Sequence, residues 1–233
     1  MNIWDHPLIA KGMTAQLATR RARIAVGEKS LGWKVGFGAP ASMQRLGLAA
    51  PLIGYLMERA LVPSGATVSL KGWAKPVAEP EIAVRMGRDL VANAAPETVM
   101  AVIENICPAI ELADLDPPPE PGNLDAVLAG DIYQRHVVLA SQSRAGGSVE
   151  GLTSRLIRRG AEANRTRDPE ALTGKLVDIV AHVASTLAAF GEKLSAGDIV
   201  ITGSITPPLM LEPDEAELAH AIDPIGEVSV RLT

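Results

Sequence analysis

The sequence predicts an α+β fold built on a mostly antiparallel or mixed sheet, and three observations carry that reading. Strand-like segments outnumber helical ones, they do not alternate with helices as a doubly wound fold requires, and glycine or proline punctuates nearly all of them. With 233 residues, 47% of them hydrophobic and 21% charged, the chain can bury a sizeable core, and intrinsic disorder is excluded.

The elements follow in order. Pro7 to Glu28 reads as a helix, with Leu8, Leu17 and Ile24 on one stripe and Gly27 as a stop. Leu31–Phe37 is a strand on which Trp33, Val35 and Phe37 alternate with Lys34 and two glycines, leaving a nearly bare face that carries the lysine. Ala39–Leu48 is a short helix. Strands are expected at Thr67–Leu70, Glu81–Met86, Ala109–Ala113, His136–Ala140, Leu152–Arg158, Ile199–Thr202 and Val228–Leu232. Pro96–Ile106 opens with proline and an acidic first turn, as helices do. A longer helix, Pro169–Phe190, is expected to take Asp168 as N-cap and to bury Leu176, Ile179, Val180, Val183 and Leu187. Proline-rich Asp116–Gly122 must be a surface loop.

Composition narrows the function classes. Lys and Arg number 22 against 27 Asp and Glu, a net charge of −5. No basic run exceeds a pair such as Arg158-Arg159, so a nucleic-acid surface is not expected. One cysteine, Cys107, excludes an intrachain disulfide and a cysteine zinc site, which fits a reducing compartment. No stretch approaches about eighteen consecutive apolar residues, and the N-terminus lacks the pattern of a secretory signal. A cytoplasmic protein with no membrane partner is the expectation.

The sharpest chemical feature is Glu79-Pro-Glu81. On extended backbone, side chains two apart share a face, and the intervening proline holds that geometry. The pair is either solvated at a strand start or binds a hard cation through oxygen. Glu111 lies within Pro108-Ala-Ile-Glu-Leu-Ala113, where it either faces solvent by alternation or completes a three-carboxylate site. Lys34, flanked by glycines, is either a snorkelling surface lysine or a partly desolvated acid, base or carboxylate clamp. Thr202 and Ser204 follow an apolar run and either form a turn or touch a ligand. Alternation places Gln134 and His136 on one face, either as a surface patch or as pocket lining.

Taken in order, Gly32-Trp-Lys-Val-Gly36, Gln44-Arg-Leu-Gly47, Pro51-Leu-Ile-Gly54, Glu79-Pro-Glu-Ile-Ala83, Pro108-Ala-Ile-Glu-Leu112 and Gly197-Asp-Ile-Val-Ile-Thr-Gly-Ser204 resemble the 2-keto-4-pentenoate hydratase and 4-oxalocrotonate decarboxylase family of the fumarylacetoacetate hydrolase superfamily. The resemblance implies a mixed β-roll or distorted barrel with peripheral helices, divided into an N-terminal helical segment, 1–30, and a catalytic domain, 31–233. It implies a homo-oligomer acting on a small 2-oxo acid, with Mg²⁺ or Mn²⁺ held by Glu79, Glu81 and Glu111 and with Lys34 beside the substrate. The match departs at Leu52, where hydratases carry an aspartate, and at Asp131-Ile-Tyr-Gln134, where they carry small polar residues. The metal-binding residues are thus retained while the substrate shell is rebuilt, with Gln134 and His136 expected to line it and His136 to transfer a proton. Chemistry through an enolate is implied, first as a hydratase-like lyase. The alternatives are acylpyruvate C–C hydrolysis, decarboxylation or tautomerisation, and a catalytically weak metal- or ligand-binding homologue.

Overall fold

The computed structural model describes residues 2–233. Its strands are β1 (Ser30–Gly36), β2 (Leu52–Met57), β3 (Leu61–Pro63), β4 (Thr67–Val68), β5 (Pro76–Met86), β6 (Ile103–Asp114), β7 (Gln134–Leu139), β8 (Arg144–Ala145), β9 (Thr153–Arg158), β10 (Ala161–Thr166), β11 (Ile199–Ser204), β12 (Leu209–Met210), β13 (Glu217–Asp223) and β14 (Gly226–Leu232). The helices are α1 (Pro7–Ala25), α2 (Pro40–Leu46), α3 (Pro96–Val102), α4 (Leu124–Ala129) and α5 (Leu176–Ala189). No helix is long and apolar enough to cross a membrane.

A nine-stranded mixed sheet runs β2-β1-β11-β5-β6-β7-β3, with β12 beside β5 and β8 beside β6; a second sheet runs β10-β9-β13-β14-β4. The long antiparallel pair β5–β6 is its spine, and it sets Glu79 opposite Glu111 and Glu81 opposite Ala109. The first sheet curls. Leu56 of β2 and Val137 of β7, which lie far apart in strand order, meet in one apolar cluster with Ala83, Ala109 and Ile201. The other face of this sheet is covered twice. At β1, β11 and β5 it packs through Trp33, Val84 and Val200 against α1 and α5. At β6 and β7 it packs through Ile110, Leu112 and Val138 against Leu156, Leu218 and Val228 of the second sheet.

The mixed sheets with peripheral helices are as expected, while three local readings are corrected. The helix from Pro96 ends at Val102, because Ile103 pairs with Met86 and begins β6; tertiary pairing overrides the local helical pattern. The long helix begins at Leu176, not Pro169, and its N-cap is Lys175 rather than Asp168. Residues 168–174 instead form turns closed by the Gly174 N–H on the Glu170 carbonyl, and the Glu170 carboxylate accepts the N–H of Leu176. On α1 the buried stripe is Ile9, Met13, Gln16, Leu17 and Arg20, and Ile24 is exposed.

Candidate metal and substrate site

The inner face of the curled sheet gathers Lys34, Glu79, Glu81 and Glu111. The registers explain why: Lys34 lies level with Ile201, Ile201 with Ala83, and β5 then steps two residues at a time through Glu81 to Glu79, opposite Glu111. One carboxylate oxygen from each glutamate lies within 4.8 Å of the others. Glu81 and Glu111 are 0% exposed and Lys34 is 1% exposed. The Lys34 ammonium donates to Glu111 Oε1 and, at 3.1 Å, to the Ile132 carbonyl. Glu81 Oε2 accepts the N–H of Gly203 at 2.7 Å.

Capacity remains unmet. Glu81 Oε1, Glu111 Oε2 and the Ser204 hydroxyl are buried without a partner. Buried oxygens left bare cost on the order of 1–3 kcal/mol each, more when charged. Burial pushes all three carboxyl pKa values up, and mutual repulsion adds to this at Glu79, which reaches about 7, and at Glu81. Burial also works to depress Lys34, but the charges of Glu111 and Glu79 outweigh it and hold the ammonium protonated. Three carboxylates sharing one ammonium, with two oxygens free, fit a hard divalent cation.

Two neighbours position the lysine. Asp131, Ile132 and Tyr133 adopt left-handed φ angles of 57°, 51° and 64° in succession. Such residues cost about 1–3 kcal/mol each and are tolerated where the surroundings impose them. The turn aims the Ile132 carbonyl at Lys34. Asp131 is buried, accepts the Tyr55 N–H at 2.8 Å, and is pushed up to about 8 by burial first of all. Gly54 allows both side chains to pack over it: a Cβ there would stand 2.8 Å from Lys34 Cγ and 2.9 Å from Asp131 Oδ1. Leu52 is buried in the main apolar core.

A cavity of about 320 Å³ opens above this floor, lined by Lys34, Glu79, Thr202, Ser204, Arg45 and Thr173 among others. The Thr202 hydroxyl donates to the Ile82 carbonyl at 3.0 Å, which aligns the β11 end beside Glu81. The cavity thus brings together six of the eight residues expected from sequence, counting Glu81 and Glu111 just beneath it. His136 and Gln134 are not brought there, and this corrects the expectation for them. His136 lies opposite Leu112, on the face turned toward the second sheet, and stacks on Trp73 at 6.1 Å. A bulge in the β6–β7 register places Gln134 opposite Ala113, and it lines a separate cavity of about 300 Å³ with Asp114, Asn123 and Tyr133. Sequence reasoning overlooked Asp131, whose signal was an acid between Gly130 and Ile132, and Arg45, which lies inside the Gln44-Arg-Leu-Gly47 motif but was not singled out.

Residues 34–233 match the family model of the fumarylacetoacetate (FAA) hydrolase C-terminal domain. The chain belongs to the fumarylacetoacetate hydrolase family. Within it, the chain is 27% identical to a 4-oxalocrotonate decarboxylase of Pseudomonas putida, over 98% of this chain and 88% of that one. It is 28% identical to a 2-hydroxyhexa-2,4-dienoate hydratase of Comamonas testosteroni, over 91% and 82%. The solved 4-oxalocrotonate decarboxylase from Pseudomonas putida G7, complexed with magnesium and adipate, superposes with a TM-score of 0.87 at 25% identity, covering 97% of this chain and 86% of that chain. A fumarylpyruvate hydrolase from Pseudomonas aeruginosa in complex with Mn²⁺ and pyruvate shares the fold, at a TM-score of 0.67 and 17% identity over 86% and 88%. The family is one of enzymes, and hydratases and decarboxylases are the relatives of this chain.

Proposed function

We propose that this protein is a divalent-metal-dependent lyase acting on a small 2-oxo acid through an enolate, with hydratase-like chemistry first. The observation that carries the reading is the convergence of Glu79, Glu81, Glu111 and Lys34 on the floor of one cavity. Glu79, Glu81 and Glu111 would hold Mg²⁺ or Mn²⁺, in keeping with the ions named with the solved relatives. An ion held by these residues would supply Lewis-acid stabilisation of the negative charge that an enolate places on oxygen.

The chain's own groups supply the rest. Lys34 spends one N–H on Glu111 and one on the Ile132 carbonyl, so a third donor is left for a substrate oxygen. Because its charge is fixed by Glu111, it acts as an electrostatic clamp more than as a base. Asp131, pushed up to about 8 by burial first of all, packs with Lys34 over Gly54, where it can exchange protons beside the lysine. Ser204 offers an unpartnered hydroxyl to the substrate or to a water. Decarboxylation is the second reading, favoured by the relative whose fold matches at a TM-score of 0.87. A homo-oligomer in the cytoplasm remains our reading from the resemblance and from the composition.

Enolisation tests the proposal. With Mg²⁺ present, the C3 protons of pyruvate or another simple 2-oxo acid should exchange in D₂O, followed by NMR. Neither exchange nor turnover across a panel of 2-oxo acids, with Mg²⁺ or Mn²⁺ saturating, would overturn it.

A further inference from the structure

The site leans on a segment that belongs to neither sheet. Asp131, Ile132 and Tyr133 take left-handed φ in succession, and residues so placed persist only where the surroundings over-determine them. Three buried bonds between a side chain and a backbone group fall within residues 128–132. Lys34 donates to the Ile132 carbonyl at 3.1 Å, Asp131 accepts the Tyr55 N–H at 2.8 Å, and Gln16 Nε2 of α1 donates to the Leu128 carbonyl at 2.9 Å. The first two hold the turn from the side of the site. Gln16 holds it from behind, because Leu128 lies in the last turn of α4, and α4 runs through Gly130 straight into Asp131.

The contact between α1 and α4 is built for close approach. Gly12 lies one turn before Gln16 on the same helix face, and a Cβ on it would stand 2.7 Å from Leu128 Cβ and 2.9 Å from Asp125 Cα. Gln16 is 0% exposed on the buried stripe with Ile9, Met13 and Leu17, and its Oε1 has no partner. The Leu128 carbonyl already takes the Gly130 N–H. An apolar side chain of similar size would leave no bare amide oxygen in the core, so packing alone does not favour a glutamine here. The helix that carries it also lies outside residues 34–233, the stretch that matches the family model.

From this arrangement we infer that Gln16 is a positioning residue of the site: it fixes the end of α4, and so sets where Asp131 and the Ile132 carbonyl meet Tyr55 and Lys34. Its hydrogen bond goes to α4, so it acts through the turn and not on the substrate. The consequence for catalysis rests on the proposed 2-oxo acid chemistry, whereas the consequence for the turn does not.

Two measurements separate these consequences. Hydrogen–deuterium exchange of the metal-free protein, followed by mass spectrometry, reads the turn with neither metal nor substrate. Gln16→Met should speed uptake about tenfold in the peptide spanning Leu52–Met57, whose Tyr55 N–H bonds to Asp131, and leave β5 and β6 at the parent level. Gly12→Ala, which pushes on α4 with Gln16 intact, should give the same pattern by a separate route. Lys11→Ala, which removes only an exposed 2.6 Å ion pair to Asp125 between the same helices, should change nothing. In the Mg²⁺-loaded protein, Gln16→Met should lower kcat for C3 exchange of pyruvate about tenfold or more, while KM and Mg²⁺ affinity stay within about twofold, because the three glutamates stand on β5 and β6. Uptake unchanged at 52–57, uptake raised equally throughout β5 and β6, an effect of Lys11→Ala equal to that of Gln16→Met, or an unchanged kcat where the parent turns over would overturn the inference. A parent without C3 exchange removes the lyase reading alone, since the uptake pattern then decides the role of Gln16 by itself.

Discussion

Two buried polar clusters lie on opposite sides of β6, and they are built on opposite terms. On the inner face, Glu81, Glu111 and Ser204 each keep an atom without a partner. On the side of the second sheet, His220 of β13 is 0% exposed yet fully bonded: its Nδ1 meets the Ala109 carbonyl at 2.9 Å and its Nε2 meets the Ser154 hydroxyl at 3.0 Å. A carbonyl only accepts, so Nδ1 carries the proton and Nε2 accepts from Ser154. The closed cluster ties the two sheets together. The open one leaves hydrogen-bonding capacity unmet at Glu81, Glu111 and Ser204.

The comparison breaks first at Glu81. Glu81→Gln should lower metal-dependent C3 exchange by about 10³-fold or more, read by NMR, because it removes an oxygen charge at the reacting centre. Without metal at pH 8 the same variant should be no less stable to urea than the parent, since one of three crowded charges has gone. Loss of stability with activity retained would mean that the inner cluster is structural.

His220→Ala should do the reverse. Two bonded partners lose their acceptor or donor and a void remains, so urea unfolding should show a loss of about 2–4 kcal/mol. Exchange activity per folded molecule should stay within about twofold. A tenfold loss in the folded variant would join His220 to the site and end the contrast.

The two clusters also differ in the sign of their pH dependence. Burial depresses His220 to about 4, so its neutral form contributes stability that is complete above the unfolded value of about 6.5 and is lost as pH falls through about 4. Glu79 is raised to about 7, so its protonated form contributes stability present below the unfolded value of about 4.5 and lost as pH rises through about 7. Metal-free protein should therefore soften at both ends. Mg²⁺ should raise the Tm more at pH 8 than at pH 5, because binding needs the carboxylates deprotonated; at about 100 times Kd the gain is about 2.7 kcal/mol. Equal shifts at the two pH values would place the ion elsewhere. The smallest effect is expected at His136, stacked on Trp73 across the sheet from the carboxylates: His136→Ala should leave kcat/KM within about twofold.

Much of this site was legible in the sequence, for reasons that can be named. Period-two alternation places Glu79 and Glu81 on one face, and an acid inside the apolar Ala109–Ala113 strand has few places to go. Glycines around Lys34 mark a bare face. What stayed hidden depends on partners distant in sequence. Alternation sets Gln134 and His136 on one face without saying which, and cannot show the β6–β7 bulge, so it was the resemblance that put both beside the cavity, where neither lies. Strand β13 reads Glu-Leu-Ala-His-Ala-Ile-Asp, with buried residues on both faces and no alternation to betray it. Strand β10 is almost wholly exposed, so it lacks an apolar face altogether. Arg45 lies in the Gln44-Arg-Leu-Gly47 motif, but only the fold sets it against the cavity.

The carbonyl of Ile132 is a ligand that no genetic change at its own codon can erase. Because the backbone supplies it, Lys34 keeps this neighbour for as long as the three left-handed residues hold their course. The side chain of Ile132 is fixed by packing, since it is buried in the main apolar cluster and a Cβ at Gly36 would meet its Cγ2 at 2.7 Å. The demand at residue 132 is therefore one of shape, whereas Asp131 beside it is held to its identity by the Tyr55 N–H that its carboxylate accepts.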